Sequence, residues 1–211
     1  MQIFWEKFWH QDHWFVRKGR DWYNRFFMKV LLEQVTDRSD FLEIGCGHSS
    51  LHPALSGHVQ SITGVDYVQG AVTASQMRAQ QHGYADHSTY ICADGFQLPF
   101  PEGSFDIVWS QGLLEHYRDA DLMLKEQMRV CRAGGKVIIS VPSRPSYLSL
   151  WYAITYRIGL KALWPWTEQI FFTPRQMREL CRRAGLSPKM TKSYRLRPAL
   201  IGILICVVEK R

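Results

Sequence analysis

Apolar positions between residues 40 and 141 form short runs that are separated by amphipathic segments. Each run has five or six residues, contains valine or isoleucine and lies near turn-forming residues, which is typical of buried strands. The segments between them have helical spacing, and this alternation favours right-handed crossovers and a parallel sheet. The pattern predicts five strands, in chain order: Asp40–Ile44, Ser61–Asp66, Thr89–Ala93, Phe105–Ser110 and Lys136–Val141.

The final part of the chain follows a different pattern. Residues 173–176 (Thr-Pro-Arg-Gln) predict a helix start, because they combine a threonine N-cap, a proline at the first helical position and a glutamine at the third. That helix is expected to end at Gly185. Two more strands are expected at 189–195 and 200–209, and their short connection permits only an antiparallel hairpin. Helices between the earlier strands are expected at 49–56, 69–82 and 120–131.

Two aromatic segments flank or interrupt this alternation. Residues 3–35 carry aromatic residues at helical spacing, whereas residues 145–172 are apolar on nearly every side. We predict a helical N-terminal cap (1–38) and an inserted helical lid (145–172). The whole chain, 1–211, is then one α/β domain with a doubly wound seven-stranded sheet, mostly parallel with an antiparallel C-terminal hairpin.

Charge is unevenly distributed along the chain, although the overall net charge is +7. Residues 144–211 contain 13 Lys and Arg against 3 Asp and Glu, a net charge of +10. This excess indicates an anionic substrate, an anionic membrane surface or nucleic acid, or it reflects solvated helix faces. We find neither the pattern of a signal peptide nor an apolar run long enough to span a bilayer, and therefore expect a cytoplasmic protein.

The sequence Leu-Glu-Ile-Gly-Cys-Gly, residues 42–47, reads as a strand, a glycine turn and the approach to a helix. Gly45 and Gly47 let the backbone turn sharply and come close to a ligand. Glu43 at the lip of this turn opposes a bound pyrophosphate and favours a ligand with positive charge. Cys46 is placed to touch the same ligand.

Further polar residues follow the other predicted strands. Asp66 lies 19 residues after Gly47, which matches the spacing of an acid that holds ribose hydroxyls. Asp94 follows the third strand, and Gln111 follows the fourth. Because ligands of open α/β sheets bind at the carboxyl ends of the strands, these residues are expected in one crevice.

At these motifs the chain resembles the class I S-adenosylmethionine-dependent methyltransferases, within the small-molecule group related to ubiquinone and menaquinone methyltransferases. The resemblance implies a Rossmann-like fold and S-adenosylmethionine (SAM) as cofactor. Ser49 stands where the family often has a third glycine. The matching segments are 42–47, 64–66, 93–95, 98–100, 105–110, 114–116 and 132–137.

The resemblance also implies a role for each matching residue. Glu43 and the Gly45-Cys46-Gly47 turn would hold the methionine part of the cofactor. Asp66 would hold the ribose, with Tyr67 beside the adenine. The second half of the site would consist of Asp94 at the adenine amine, Gly95 next to it and Gln111 near the sulfonium. Three carboxylates around a sulfonium and an ammonium group give a complementary field.

Two other functions remain open at this stage. An NAD-dependent oxidoreductase would use the same glycine turn, but Glu43 would oppose its pyrophosphate. A non-catalytic module that binds SAM or a partner is the second alternative. Cofactor titration separates these three functions. An oxidoreductase would bind NADH and not SAM, whereas a non-catalytic module would bind SAM without turning over any acceptor.

His116 is the candidate general base, because imidazole titrates near neutrality and this histidine follows a strand-end loop. We expect no metal site: the pairs His10/His13 and His48/His52 lack acidic or cysteine partners, so they are expected at the surface or in the lid. The five scattered cysteines are expected to be reduced structural thiols. An Asn-Pro-Pro-Tyr motif is absent from the sequence, so nucleic-acid bases are not the expected substrate.

The two aromatic segments suggest a small hydrophobic or amphiphilic acceptor with a negative group. They could fold over the crevice as a lid, or they could be core or a homodimer interface. Peripheral membrane contact through their tryptophans and nearby basic residues is a further expectation. The basic residues that could meet an anionic group are Arg144, Arg175, Arg195 and Arg197.

Overall fold

The computed structural model describes residues 24–160, 169–186, 192–195 and 202–210, and the fold below refers to them. The helices are α1 (24–32), α2 (His52–Leu55), α3 (Gln69–Gln81), α4 (Ala120–Val130), α5 (Tyr147–Arg157) and α6 (Pro174–Arg183). The strands are β1 (Asp40–Ile44), β2 (Ser61–Asp66), β3 (Ser88–Cys92), β4 (Phe105–Gln111), β5 (Cys131–Pro142), β6 (Lys192–Arg195) and β7 (Ile203–Glu209). Short 3₁₀ turns occur at Ser56–His58, Ala85–His87 and Leu114–His116.

All of these strands belong to one mixed sheet, in the order β3-β2-β1-β4-β5-β7-β6. The first five positions are parallel, whereas β7 runs antiparallel to both β5 and β6. The expected parallel sheet with an antiparallel C-terminal pair is therefore confirmed. The strand order reverses between β1 and β4, which makes the carboxyl ends of these two strands the topological switch point.

Helices cover both faces of the sheet, as a doubly wound fold requires. Alternate residues of β5 point to opposite faces: Val137 and Ile139 pack in one core cluster, and Ile138 packs in the other. The first cluster also takes apolar side chains from α4 and α6, and the second takes them from α1, α2 and α3. The near-continuous apolar strands of the sequence are explained by this burial on both sides.

The described part of the predicted N-terminal cap contributes to the hydrophobic core. Phe27, Val30 and Leu31 of α1 are buried, and the Phe27 ring meets the edge of the Trp109 ring at a centroid distance of 5.6 Å. Residues 1–23 of the predicted cap lie outside the described residues.

The helix of the predicted lid is shorter than expected. Ser146 and Ser149 form a capping box at the start of α5, and the helix gives way to Gly159 with φ of +76°. Its apolar residues lie on nearly all sides, so periodicity alone does not show where the helix ends. The chain then returns along the sheet edge, where the Phe172 amide donates to Pro142 O at 2.9 Å. The intervening residues 161–168 lie outside the described part.

The C-terminal helix begins where the sequence predicts. Thr173 and Gln176 form the expected capping box, and Gly185 follows the helix with φ of +79°. Parts of the two predicted strands, 189–191 and 200–201, lie outside the described residues. No helix in the described ranges is long and apolar enough to cross a membrane.

Candidate functional site

The glycine turn after β1 is fastened to the end of β2. The amides of Gly45 and Cys46 both donate to Val65 O, at 2.8 and 3.0 Å. Gly45 and Gly47 have positive φ angles of 71° and 50°, which glycine adopts without a Cβ penalty. The turn therefore lies at the switch point, with its backbone open to close approach.

Ser49 shares the left-handed conformation of these glycines, with φ of +49°. Its hydroxyl donates to Ser75 Oγ at 2.7 Å, and Ser75 Oγ donates to Gly47 O at 2.8 Å. Both serines are buried. A serine is thus accommodated where the family often has glycine, because Ser75 holds both the strained residue and the turn.

Asp66 and Glu43 bring two carboxylates together beneath the turn. Asp66 is 6% exposed; its Oδ2 accepts from the Gly47 amide at 2.9 Å, and its Oδ1 accepts from the Val68 amide at 3.0 Å. Glu43 is 5% exposed. Burial raises the pKa of Asp66, the amide hydrogen bonds oppose this shift, and the Glu43 charge adds to it.

The same charges act on Cys46. Burial raises the pKa of its thiol, and the Glu43 and Asp66 charges raise it further. Among the described residues, no Lys or Arg forms an ion pair with either carboxylate. Two buried carboxylates that no described Lys or Arg neutralises fit a cationic ligand such as a sulfonium or an ammonium group, and they oppose a pyrophosphate.

The ends of β2 and β3 meet at the next part of the crevice. The Ala93 amide donates to Asp66 O at 3.0 Å, which places Asp94 and Gly95 at the same edge as Tyr67. Asp94 is exposed, and its Oδ1 accepts from the Phe96 amide at 2.9 Å. The structure thus brings the predicted residues of β1, β2 and β3 to one edge.

Gly95 and Tyr67 also have defined surroundings. A Cβ on Gly95 would lie 3.1 Å from Ile44 Cγ2, so the absence of a side chain permits close packing of this loop against β1. Tyr67 is half-buried directly after β2.

Gln111 ends β4 on the other side of the switch point. The following Gly112 amide donates to Ser140 O at 2.9 Å, and the chain then enters the Leu114–His116 turn. His116 is half-buried in that turn, and its amide donates to Leu113 O at 3.2 Å. Gln111 and the candidate base therefore lie at the same carboxyl edge as Glu43.

Glu115 is a site residue to which the sequence analysis gave no role. It is buried, its Oε2 has no hydrogen-bond partner in the described part of the chain, and burial raises its pKa to about 8. The Ile170 amide donates to Glu115 O at 2.8 Å, so the segment that follows α5 is attached here. The sequence feature that could have pointed to Glu115 is its position beside His116 in the Leu-Glu-His motif.

His52 corrects the expectation that this histidine lies at the surface or in the lid. It is fully buried, with Nε2 2.7 Å from Glu43 Oε2 and Nδ1 2.8 Å from Tyr90 Oη. The reason is that α2 packs against the sheet and turns this side chain inward. Sequence spacing could not reveal the contact, because Glu43 and Tyr90 come from two different strands.

An apolar groove of about 910 Å³ adjoins the carboxyl end of β5. It lies between α5, the start of α6 and the segment that is attached to Glu115. Its lining includes Arg144, Tyr147, Leu150, Tyr152, Ile170 and Phe171. The described lining is mainly apolar, and Arg144 is the charged residue among the side chains that form it.

No group of three or more His, Cys, Asp or Glu within the described ranges is arranged to hold a metal ion. The five cysteines are free thiols, and only Cys92 is exposed.

Comparison with known proteins agrees with this geometry. The family described as "Methyltransferase domain" matches residues 42–139. A curated relative, the ubiquinone biosynthesis O-methyltransferase of Pseudomonas fluorescens, is 27% identical over an alignment of 168 positions that covers 74% of this chain and 72% of that protein.

Two solved structures are also similar. Magnesium protoporphyrin IX methyltransferase from Synechocystis, solved with bound S-adenosylhomocysteine (SAH), has a TM-score of 0.71 and 19% identity, and covers 95% of this chain and 89% of its own. The cyclase SpnF has a TM-score of 0.72 and 15% identity, and covers 89% and 81%. At these identities the two structures support the fold alone.

The family match bears on the reaction, which the two similar folds alone do not show. Its match begins at Leu42 and ends at Ile139, so it contains the glycine turn, Asp66 and the Leu114–His116 turn. Over residues 42–139 the chain is thus similar to the methyltransferase domain family, and the curated relatives and the fold of the structural neighbours support a class I S-adenosylmethionine-dependent methyltransferase that acts on small molecules.

Proposed function

We propose that this methyltransferase modifies a small hydrophobic or amphiphilic molecule that carries a negative group. The observation that carries the proposal is that the apolar groove and the two buried carboxylates lie along the same carboxyl edge of the sheet, the groove at β5 and the carboxylates at β1 and β2. The carboxylate end suits the cationic cofactor. The groove suits an acceptor with an apolar body.

The cofactor roles follow the position of each residue along that edge. We assign the methionine part to Glu43 and the Gly45–Gly47 turn, because the buried carboxylate offsets an ammonium charge there. Asp66 is assigned to the ribose: two amides already bind its oxygens, and each oxygen keeps a second lone pair for a hydroxyl. The remaining assignments are Tyr67 and Gly95 at the adenine, Asp94 at its amine and Gln111 near the sulfonium.

The main task of the residues on this edge is to position and orient the acceptor against the methyl group. SAM supplies an activated methyl group with a good leaving group. Aligning the acceptor with that methyl group contributes up to about 7–11 kcal/mol. His116 would remove a proton where the acceptor atom must lose one, as a hydroxyl oxygen does.

Charge supports the negative group of the acceptor. Arg144 lines the groove, and Arg175 lies in the first turn of α6, at the Thr173 end of the same groove. Arg195 belongs to β6, but its side chain is not described, and Arg197 lies outside the described residues. Arg144 is therefore the residue on which this part of the proposal depends.

The outer face of α5 supports the expected contact with an anionic membrane. Five apolar side chains of this helix and its C-terminal cap recur at spacings of three, four and seven, so they share one face. No acidic residue occurs between residues 144 and 167, which suits a negatively charged surface. The exposed residues are Tyr147 (62%), Leu150 (56%), Trp151 (41%), Ile154 (48%) and Ile158 (61%), of which Tyr147 and Leu150 also line the rim of the apolar groove.

The finer sequence-based expectations stay predictions. They are a single domain over 1–211, cytoplasmic localisation, a homodimer and no nucleic-acid partner. The complete seven-stranded sheet is part of the proposal, and the pairing of β6 with β7 supports it.

The experiment that tests the acceptor class uses SAM with a labelled methyl group and matched pairs of acceptors. Each pair shares an apolar body and differs in whether it carries a carboxylate. We expect label transfer to favour the anionic member, and Arg144→Gln to reduce that preference by roughly tenfold. Equal transfer to both members would contradict the anionic acceptor, and SAM binding without turnover on any acceptor would favour a non-catalytic module.

A further inference from the structure

We propose that His52 is a positioning residue for the cofactor: it holds the Glu43 carboxylate in place through a buried chain of polar side chains that continues to Tyr90 and Tyr84. The inference rests on the proposed role of Glu43 at the methionine part of SAM. It adds a layer of residues behind the glycine turn, none of which belongs to the motifs of the family.

The first link joins α2 to β1. His52 Nε2 lies 2.7 Å from Glu43 Oε2, with side-chain exposures of 0% and 6%. The N–H direction lies off the ideal hydrogen-bond axis, so the contact is a short electrostatic one. Within the described residues, His52 is the only basic side chain that touches this carboxylate.

The second link joins α2 to β3. His52 Nδ1 lies 2.8 Å from Tyr90 Oη, and the two rings stack with centroids 5.7 Å apart. Burial raises the pKa of Tyr90, which keeps its hydroxyl protonated and able to donate. The single Tyr90 proton can go to Tyr84 Oη at 3.5 Å or to His52 Nδ1 at 2.8 Å, and we assign it to the shorter contact. With Tyr90 donating to Nδ1, the ring proton lies on Nε2, which is the atom that faces Glu43.

The fold makes room for this arrangement. Gly64 of β2 pairs with Tyr90 of β3, and a Cβ on Gly64 would lie 2.5 Å from the Tyr90 ring. Tyr84 Oη lies 3.5 Å from Tyr90 Oη and ends the chain of hydroxyls. The edge of the His52 ring also meets Phe41 at a centroid distance of 6.0 Å. The imidazole therefore contacts Glu43, Tyr90 and Phe41, which together fix its orientation.

The consequence concerns cofactor affinity. A carboxylate held by a partner need not be ordered when an ammonium group binds to it. Residues that orient a ligating side chain typically change affinity by about 10–100-fold when they are removed. SAM and SAH share the ammonium group, so His52 should affect both to the same extent.

The test measures SAM and SAH dissociation constants by calorimetry for the full chain and its variants. His52→Leu removes the contact, whereas His52→Gln can offer an amide N–H near the position of Nε2. Tyr90→Phe removes only the hydroxyl that fixes the imidazole. Leu55→Ala is the matched control, because it shortens a buried side chain of the same helix that does not contact Glu43.

We expect His52→Leu to weaken the binding of both ligands by about tenfold or more, and Tyr90→Phe to weaken it by about threefold. His52→Gln should restore most of the affinity. Leu55→Ala should lower the melting temperature and leave both dissociation constants within about twofold of wild type. In a Glu43→Gln background, adding His52→Leu should raise each dissociation constant by less than about a further twofold, because the two residues act as one unit.

Unchanged affinity in folded His52→Leu, or an equal loss in the Glu43→Gln background, would overturn the inference. If His52→Leu does not fold, the Tyr90→Phe series decides in the same way: no loss, or a loss that persists without Glu43, contradicts it. A wild-type chain that binds neither SAM nor SAH would overturn the proposed function itself.

Discussion

The Gly47 amide donates a 2.9 Å hydrogen bond to Asp66 Oδ2 across 19 residues of sequence. This bond ties the glycine turn after β1 to the acid at the end of β2, so one contact sets the relative position of the parts that we propose for the methionine and the ribose. The Val68 amide fixes the other oxygen at 3.0 Å. The carboxylate is therefore oriented before any ligand arrives.

Asp66→Asn should impair both folding and cofactor binding. An asparagine must present its amide nitrogen to either Gly47 or Val68, which leaves two donors facing each other. We expect a loss of about 1–3 kcal/mol in the free energy of unfolding and a SAM dissociation constant raised about 10–100-fold. Calorimetry and urea unfolding measure the two effects. Asp86→Asn, at an exposed position, is the control, and equal behaviour of the two variants would contradict the role of Asp66.

Glu115 should make stability depend on pH. Burial raises its pKa to about 8 from 4.5, so between these values the folded state keeps a proton that the unfolded state has released. The free energy of unfolding should fall as pH rises through this window, by up to about 1.4 kcal/mol per pH unit. Urea unfolding of the ligand-free protein measures this slope.

Glu115→Gln should flatten the slope and stabilise the protein at the alkaline end of the window. Glu209→Gln, at an exposed site, should leave the slope unchanged. The same slope in wild type and Glu115→Gln would show that Glu115 is not protonated in the folded state.

Ser49 and Ser75 should depend on each other. Ser75→Ala removes the hydroxyl that joins Ser49 to Gly47 O, and we expect it to cost about 1–2 kcal/mol in stability. Ser49→Gly should recover much of that loss in the double variant, because glycine adopts φ of +49° without strain. Thermal unfolding of the two single variants and the double variant tests this, and strictly additive losses would refute the coupling.

The α5 face should bind anionic vesicles. Replacing Trp151 and Ile154 together by serine removes two exposed apolar side chains and should weaken co-sedimentation by roughly tenfold. Leu122→Ser is the matched control, since Leu122 is 52% exposed on α4. Absence of pelleting by the wild type at low salt, or equal losses in both variants, would contradict a membrane contact at α5.

His116→Ala should reduce turnover while the SAM dissociation constant stays unchanged. For an acceptor that must lose a proton, we expect a drop in kcat of about 10²–10⁴-fold. Steady-state kinetics with a hydroxyl acceptor measures it, and His58→Ala, at an exposed position, should match wild type. Normal kcat in His116→Ala would remove this histidine from the mechanism.

The sheet was predictable from the sequence because its strands are buried on both faces and are therefore apolar along most of their length. Runs such as Asp40–Ile44 and Ser61–Asp66 have the predicted bounds, since the turns on either side mark their ends. The hydrogen bond between Gly47 and Asp66 was foreseeable in outline, because the spacing of the two residues is local to one β-α-β unit.

Other features depend on contacts between distant elements. The burial of His52 arises from packing of a four-residue helix against β1 and β3, which no periodicity reveals. The raised pKa of Glu115 arises from burial of its carboxyl group, which the residues next to it in the sequence do not reveal. The extent of α5 was overestimated because an apolar sequence without a polar face does not show where a helix stops.

The most direct test of the account is calorimetric titration of the wild-type chain with SAM, SAH and NADH, repeated with Glu43→Gln. We expect the wild type to bind SAM and SAH and not to bind NADH. Glu43→Gln should weaken binding of both SAM and SAH about tenfold or more, because a buried carboxylate no longer faces the ammonium group. Binding of NADH without SAM, or SAM affinity that is indifferent to Glu43→Gln, would contradict it.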